Sequence, residues 1–146
     1  MPAARQALIL RATLAPLAAL NLVVGALAAF APRTFYDDFP FVASWVDRLP
    51  PYNEHLTTDV GAFYLGFGVL FVWATLSLER LLVTAACAAW SLSAALHLVF
   101  HLRHLDVFTT TNAVVQALVL AGALGQGVVG LGLSRSRSPS GTTQRS

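Results

Sequence analysis

The chain has 146 residues, 56% of them apolar and only 11% charged, where ordinary globular chains carry roughly a quarter charged residues. The apolar residues run in long blocks, which is the pattern of a bilayer-spanning protein and not of a soluble domain. A net charge of +2 with arginines on every connection argues against nucleic acid as a partner. The single cysteine excludes an intrachain disulfide or a Cys-x-x-Cys redox pair.

The first block, about residues 12–31, is long enough to cross a hydrocarbon core of about 30 Å. Ala29-Phe-Ala31 resembles a signal cleavage site, but the apolar block is longer than a signal core and Pro32 follows the cut, so a retained anchor is expected. Pro16 is a possible kink point, and Asn21, near mid-span, is expected to hydrogen-bond to another helix. Residues 32–58 form the longest connection. Within it, residues 41–49 carry apolar and aromatic side chains at helical spacing, which predicts a short interfacial helix anchored by Phe41 and Trp45.

Asn53 is a suitable N-cap for the second helix, whose span is about residues 60–78. Glu79 and Arg80 make a tight hairpin into a third span, about residues 81–100, rich in Ala and Ser as closely packed membrane helices are. Thr109-Thr-Thr-Asn112 is a capping cluster before the fourth span, about residues 113–133. That span carries Gly122, Gly125, Gly127, Gly130 and Gly132, small residues that permit close helix contact. Residues 134–146 are Ser/Arg-rich and are expected to form a disordered tail.

Four spans put both termini on one side. Arg5, Arg11, Arg80, Arg135, Arg137 and Arg145 share it, against Arg33, Arg48 and Arg103 opposite. The positive-inside rule then places both termini in the cytoplasm.

Two polar stretches fall at the same membrane level in this topology: Pro51-Tyr-Asn-Glu-His-Leu-Thr-Thr-Asp59, opening the second helix, and His97-Leu-Val-Phe-His101-Leu-Arg-His104-Leu-Asp106, closing the third. Helices joined by a two-residue hairpin are expected to be neighbours. His55/Asp59 and His97/His101 are both i,i+4 pairs, each on one face of its helix. Facing each other, His55, Asp59, His97 and His101 would form a shell for a divalent transition metal, with zinc the best match. Glu54, His104, Asp106 and Gln116 are expected around it, orienting ligands or drawing in cations.

The alternatives are open at this point. Carboxylates at a helix start and histidines at a helix end also suit the macrodipole, so the same residues can form a structural or pH-responsive network without metal. Haem or quinone ligation is a further alternative, with His55 and His101 as the opposed pair that a bis-histidine haem would need. A metal with an open position would instead support a membrane-embedded hydrolase acting near the outer leaflet. Ser91 and Ser93 read as packing residues, Cys87 as a buried hydrophobe, Gln126 as an interhelical hydrogen bonder, and Tyr36, Tyr52 and Trp45 as aromatic-belt residues.

Pro32-Arg-Thr-Phe-Tyr-Asp-Asp-Phe-Pro40, Pro51-Tyr-Asn-Glu-His-Leu-Thr-Thr-Asp-Val-Gly61 and the His97–Asp106 string together resemble a group of small four-helix membrane proteins from actinobacteria. The overall plan is also loosely similar to small four-helix families such as DoxX. The resemblance implies a bacterial cytoplasmic membrane and a four-span fold, and it transfers no catalytic role.

The sequence therefore predicts an all-α, four-helix transmembrane bundle with an interfacial helix in its first extracytoplasmic loop. Its partners are the lipid bilayer and either another membrane protein or further copies of the chain. A role in sensing or structure, set by metal or pH, is favoured over an enzyme.

Overall fold

A computed structural model describes residues 3–49 and 51–135. Every regular element among them is helical. Four long helices, α1 (Ala3–Phe30), α3 (Glu54–Ser77), α4 (Arg80–Leu102) and α5 (Thr110–Arg135), form a bundle; a short α2 (Pro32–Asp38) lies between α1 and α3. The long helices are each apolar enough to cross a membrane over 23 to 27 residues, a rise of about 35–40 Å. The molecule is a small multi-pass membrane protein.

The caps follow local chemistry. Asn53 Oδ1 accepts from the Leu56 backbone N–H at 3.0 Å, satisfying a donor that the first turn of α3 leaves free. Thr109 Oγ1 does the same for Asn112 at 3.4 Å. Leu78 ends α3 in the left-handed region, at φ 52°, and Glu79 leads straight into α4.

The connection before α3 differs from expectation. The helix predicted over residues 41–49 is absent, and the segment forms only a 3-10 turn at Val46–Arg48. Phe41 and Ser44 take left-handed φ values of 68° and 43°, which interrupt any right-handed helix. The helix forms earlier, at α2, where Pro32 sits at the N-terminal position that proline favours.

Helix pairing differs more. The closest packing is α1 on α3 and α4 on α5, while the hairpin partners α3 and α4 share a smaller contact. At the α1–α3 crossing the backbones nearly touch. A Cβ on Gly61 would collide with the Ala29 backbone, and one on Gly25 would lie 2.7 Å from Leu65 N. In lipid, helices associate through such close packing because the surrounding acyl chains are as apolar as the side chains, and no hydrophobic effect drives the helices together.

Along α4 and α5 the contact has polar rungs. Thr84 Oγ1 and Ser134 Oγ pair at 2.9 Å, Trp90 Nε1 donates to Ala123 O at 2.9 Å, and His101 Nδ1 meets Gln116 Oε1 at 3.0 Å. Residue numbers fall on one helix as they rise on the other, as antiparallel register requires. The glycines of α5 divide accordingly: Gly127 and Gly130 press on Trp90, Ser91 and Cys87, while Gly122, Gly125 and Gly132 meet nothing. Asn21 bonds its own Leu17 carbonyl at 2.8 Å instead of another helix. Of the tail expected over 134–146, Ser134 and Arg135 belong to α5, and the rest lies outside the described residues.

Candidate functional site

The buried stripe of α4 runs through Val83, Cys87, Trp90 and Ala94, spaced three and four residues apart as one helix face demands. His97 and His101 continue that spacing. The two imidazoles therefore stand on the face α4 turns into the bundle, with ring centroids 4.6 Å apart. His101 is buried and held by Gln116, itself 1% exposed; His97 is the more open of the two.

Both border a cavity of about 620 Å³ at the end of the bundle that carries the 31–53 connection. All four long helices contribute to its wall, including Leu20 and Val24 of α1, Val60 and Tyr64 of α3, and Gln116 and Val119 of α5. Trp90 forms the floor. Its ring meets Tyr64, Phe67 and Phe71 edge-on at 5.6 to 6.0 Å, a favourable geometry for aromatic pairs. The 31–53 connection forms the roof, with Phe39 and Trp45 turned inward. Trp45, expected at the membrane interface, is thus a cavity residue.

The roof is fastened by Arg33. Its Nε lies 2.6 Å from Asp37 Oδ2, and its guanidinium stands 5.0 Å from the Tyr52 ring and 6.0 Å from that of Tyr36, within cation–π range. The hydrogen bond to Asp37 raises the Arg33 pKa. Desolvation, and then the Glu54 carboxylate, push the Tyr52 phenol above its ordinary value, and its hydroxyl donates to Glu54 Oε2 at 3.5 Å.

The chemistry of the wall is uniform. No Asp, Glu, Lys or Arg lines the cavity. Two N–H groups of the lining, Trp45 Nε1 and Gln116 Nε2, are closed off from solvent and have no hydrogen-bond partner. Buried donors are rarely left so, because each forfeits a hydrogen bond.

The four residues expected to share a metal remain two separate pairs. His55 Nε2 and Asp59 Oδ2 are 3.4 Å apart on side chains 87% and 51% exposed. No group of three or more His, Cys, Asp or Glu side chains among the described residues is placed to hold an ion. The reason is rotation about the helix axis. Gly61 must face α1, and Thr57, Val60 and Tyr64 face the cavity; His55 and Asp59 stand about 100–180° round from that stripe.

The outer residues also disperse. His104 lies beyond the end of α4, stacks on Phe100 at 4.3 Å and donates from Nδ1 to the Phe100 carbonyl at 2.7 Å. Glu54 bonds Tyr52, and Asp106 sits exposed in the 3-10 turn Leu105–Val107. Gln116 alone of this set reaches a predicted ligand residue, His101. Trp90 and Tyr64 escaped the sequence reading, although the spacing Trp90, Ala94, His97, His101 marks one face.

No family model, no curated protein and no solved structure matches the chain. The functional reading rests on the cavity.

Proposed function

We propose that this protein binds a neutral, lipid-soluble molecule in the cavity between its four long helices and the 31–53 connection. The observation that carries the reading is a space of about 620 Å³ walled by apolar and aromatic side chains with no charged residue among them. Ligand sites commonly have volumes of about 300–1,000 Å³, with mostly apolar walls and a few polar groups. An anionic headgroup would find no cation there, so the ligand is uncharged.

Purification of the full chain in mild detergent, followed by solvent extraction and mass spectrometry, tests this. A neutral compound is expected in stoichiometric amount with wild type and depleted with Ala94→Phe, which fills the cavity from α4. Equal recovery from both proteins would refute the reading.

The divalent-metal alternative has weaker support, consisting of the two i,i+4 pairs His55/Asp59 and His97/His101 on separate helix faces. Metal analysis of wild type against His97→Ala/His101→Ala decides it: stoichiometric zinc lost in the variant would restore it. We further place the protein in a bacterial cytoplasmic membrane with both termini inside and the cavity towards the extracytoplasmic face, on the arginine distribution.

A further inference from the structure

We infer that the ligand is a lipid alcohol: a hydrocarbon body carrying a hydroxyl, which donates its hydrogen to His101 Nε2 while the body runs down to Trp90. This rests on the binding reading above and names its chemistry. The tautomer of His101 carries the argument. Gln116 Oε1 can only accept, so the 3.0 Å bond between the two side chains places the ring hydrogen of His101 on Nδ1. A neutral imidazole has one such hydrogen, which leaves Nε2 with a lone pair, as an acceptor.

That acceptor is open. Among the described residues, the side-chain atoms both closed off and unbonded are Asn21 Oδ1, Trp45 Nε1 and Gln116 Nε2. His101 Nε2 also lacks a hydrogen-bond partner there, yet it is not one of these three, so it keeps accessible surface. His101 lines the cavity, and whatever meets Nε2 from that side has to supply a hydrogen. The His97 ring borders the same space, 4.6 Å away by centroids, and its neutral form offers one donor and one acceptor. A hydroxyl answers both rings, because it donates and accepts at one atom. A ketone, ester or ether has no hydrogen for Nε2, and a carboxylate would meet no cation in the wall.

The depth of the space also suits a molecule with one polar end. His101 stands next to the last residue of α4, and Trp90 lies about 16 Å further down the same helix. The wall between them is apolar, with Ala94, Val60 and Val119. Of the other polar lining groups, Asn53 Oδ1 and Thr57 Oγ1 are bonded within the first turn of α3. The Tyr64 hydroxyl, on a ring beside Trp90, is the competing anchor.

The test titrates the full-length protein in detergent micelles with three probes, read by quenching of tryptophan fluorescence. These are a straight-chain dodecanol brominated at its far end, the methyl ether of that compound, and plain bromododecane. Wild type is expected to bind the alcohol at least about tenfold more tightly than the ether, which keeps the oxygen and loses the donor. In His101→Leu that ratio should fall to about one. If this variant does not fold, His101→Leu/Gln116→Leu, which removes both halves of the buried bond, gives the same comparison. Equal wild-type affinities for alcohol and ether, or a preference that survives the loss of His101, would overturn the inference while leaving the cavity reading standing. A preference lost in Tyr64→Phe and kept without His101 would overturn it by moving the anchor to α3. If none of the three probes quenches, the binding reading itself fails.

Discussion

His101 on α4 and Gln116 on α5 are joined by a single hydrogen bond of 3.0 Å, between two side chains that are both buried. It is the last rung of the α4–α5 contact and also the wall of the cavity. Register and site are thus built from the same pair.

Removing one partner is expected to cost more than removing both. His101→Leu leaves the Gln116 amide wholly unpaired, a penalty of about 1–3 kcal/mol. Interhelical hydrogen bonds in lipid are themselves worth about 1 kcal/mol. The double variant His101→Leu/Gln116→Leu should recover part of the loss. Thermal unfolding in detergent of the two singles and the double checks this, and a double variant less stable than His101→Leu would contradict it.

The α1–α3 crossing should tolerate no side chain at Gly61, where a Cβ meets the Ala29 backbone. Gly61→Ala forces the helices apart and is expected to cost about 1–3 kcal/mol, as overpacking does. Gly122→Ala and Gly125→Ala point into open space and should be neutral or gain up to about 1 kcal/mol from helix propensity. Melting temperatures of the three variants distinguish packing glycines from unused ones.

Trp90 joins three helices, through the rings of Tyr64, Phe67 and Phe71 on α3 and the Ala123 carbonyl on α5. Trp90→Ala is expected to lose about 3–5 kcal/mol. Trp90→Phe keeps a ring but loses the hydrogen bond to the Ala123 carbonyl, and should fall between that variant and wild type. The order of the three proteins in a detergent-unfolding series is the measurement.

Orientation can be read with a thiol probe. Cys87 is the chain's one cysteine and is buried, so Cys87→Ala provides a silent background. His55, whose side chain is 87% exposed, is the labelling position. His55→Cys in intact cells should react with a membrane-impermeant maleimide. Labelling only after the membrane is opened would reverse the proposed orientation.

Much of the architecture is legible in the sequence alone. Apolar blocks of about twenty residues specify spans, because the bilayer allows only internally bonded helices. Asn53 and Thr109 announced two helix starts, and the tight turn expected at Glu79 and Arg80 falls one residue earlier, at Leu78 and Glu79. Each of these is a local property, set by residues within a few positions of one another.

What the sequence by itself determined is thus the set of helices, their lengths and most of their ends. Only the tertiary structure decided which faces meet. His55/Asp59 and His97/His101 are equivalent as strings, yet one pair lies on an exposed face and the other borders a cavity. The difference comes from distant contacts: Gly61 pressed on Ala29 turns α3, and the rungs from Thr84 to His101 turn α4. Hairpin length brings two helices near each other but leaves each free to rotate about its axis. Shape complementarity and buried hydrogen bonds remove that freedom, and with it they select which histidines belong to the site.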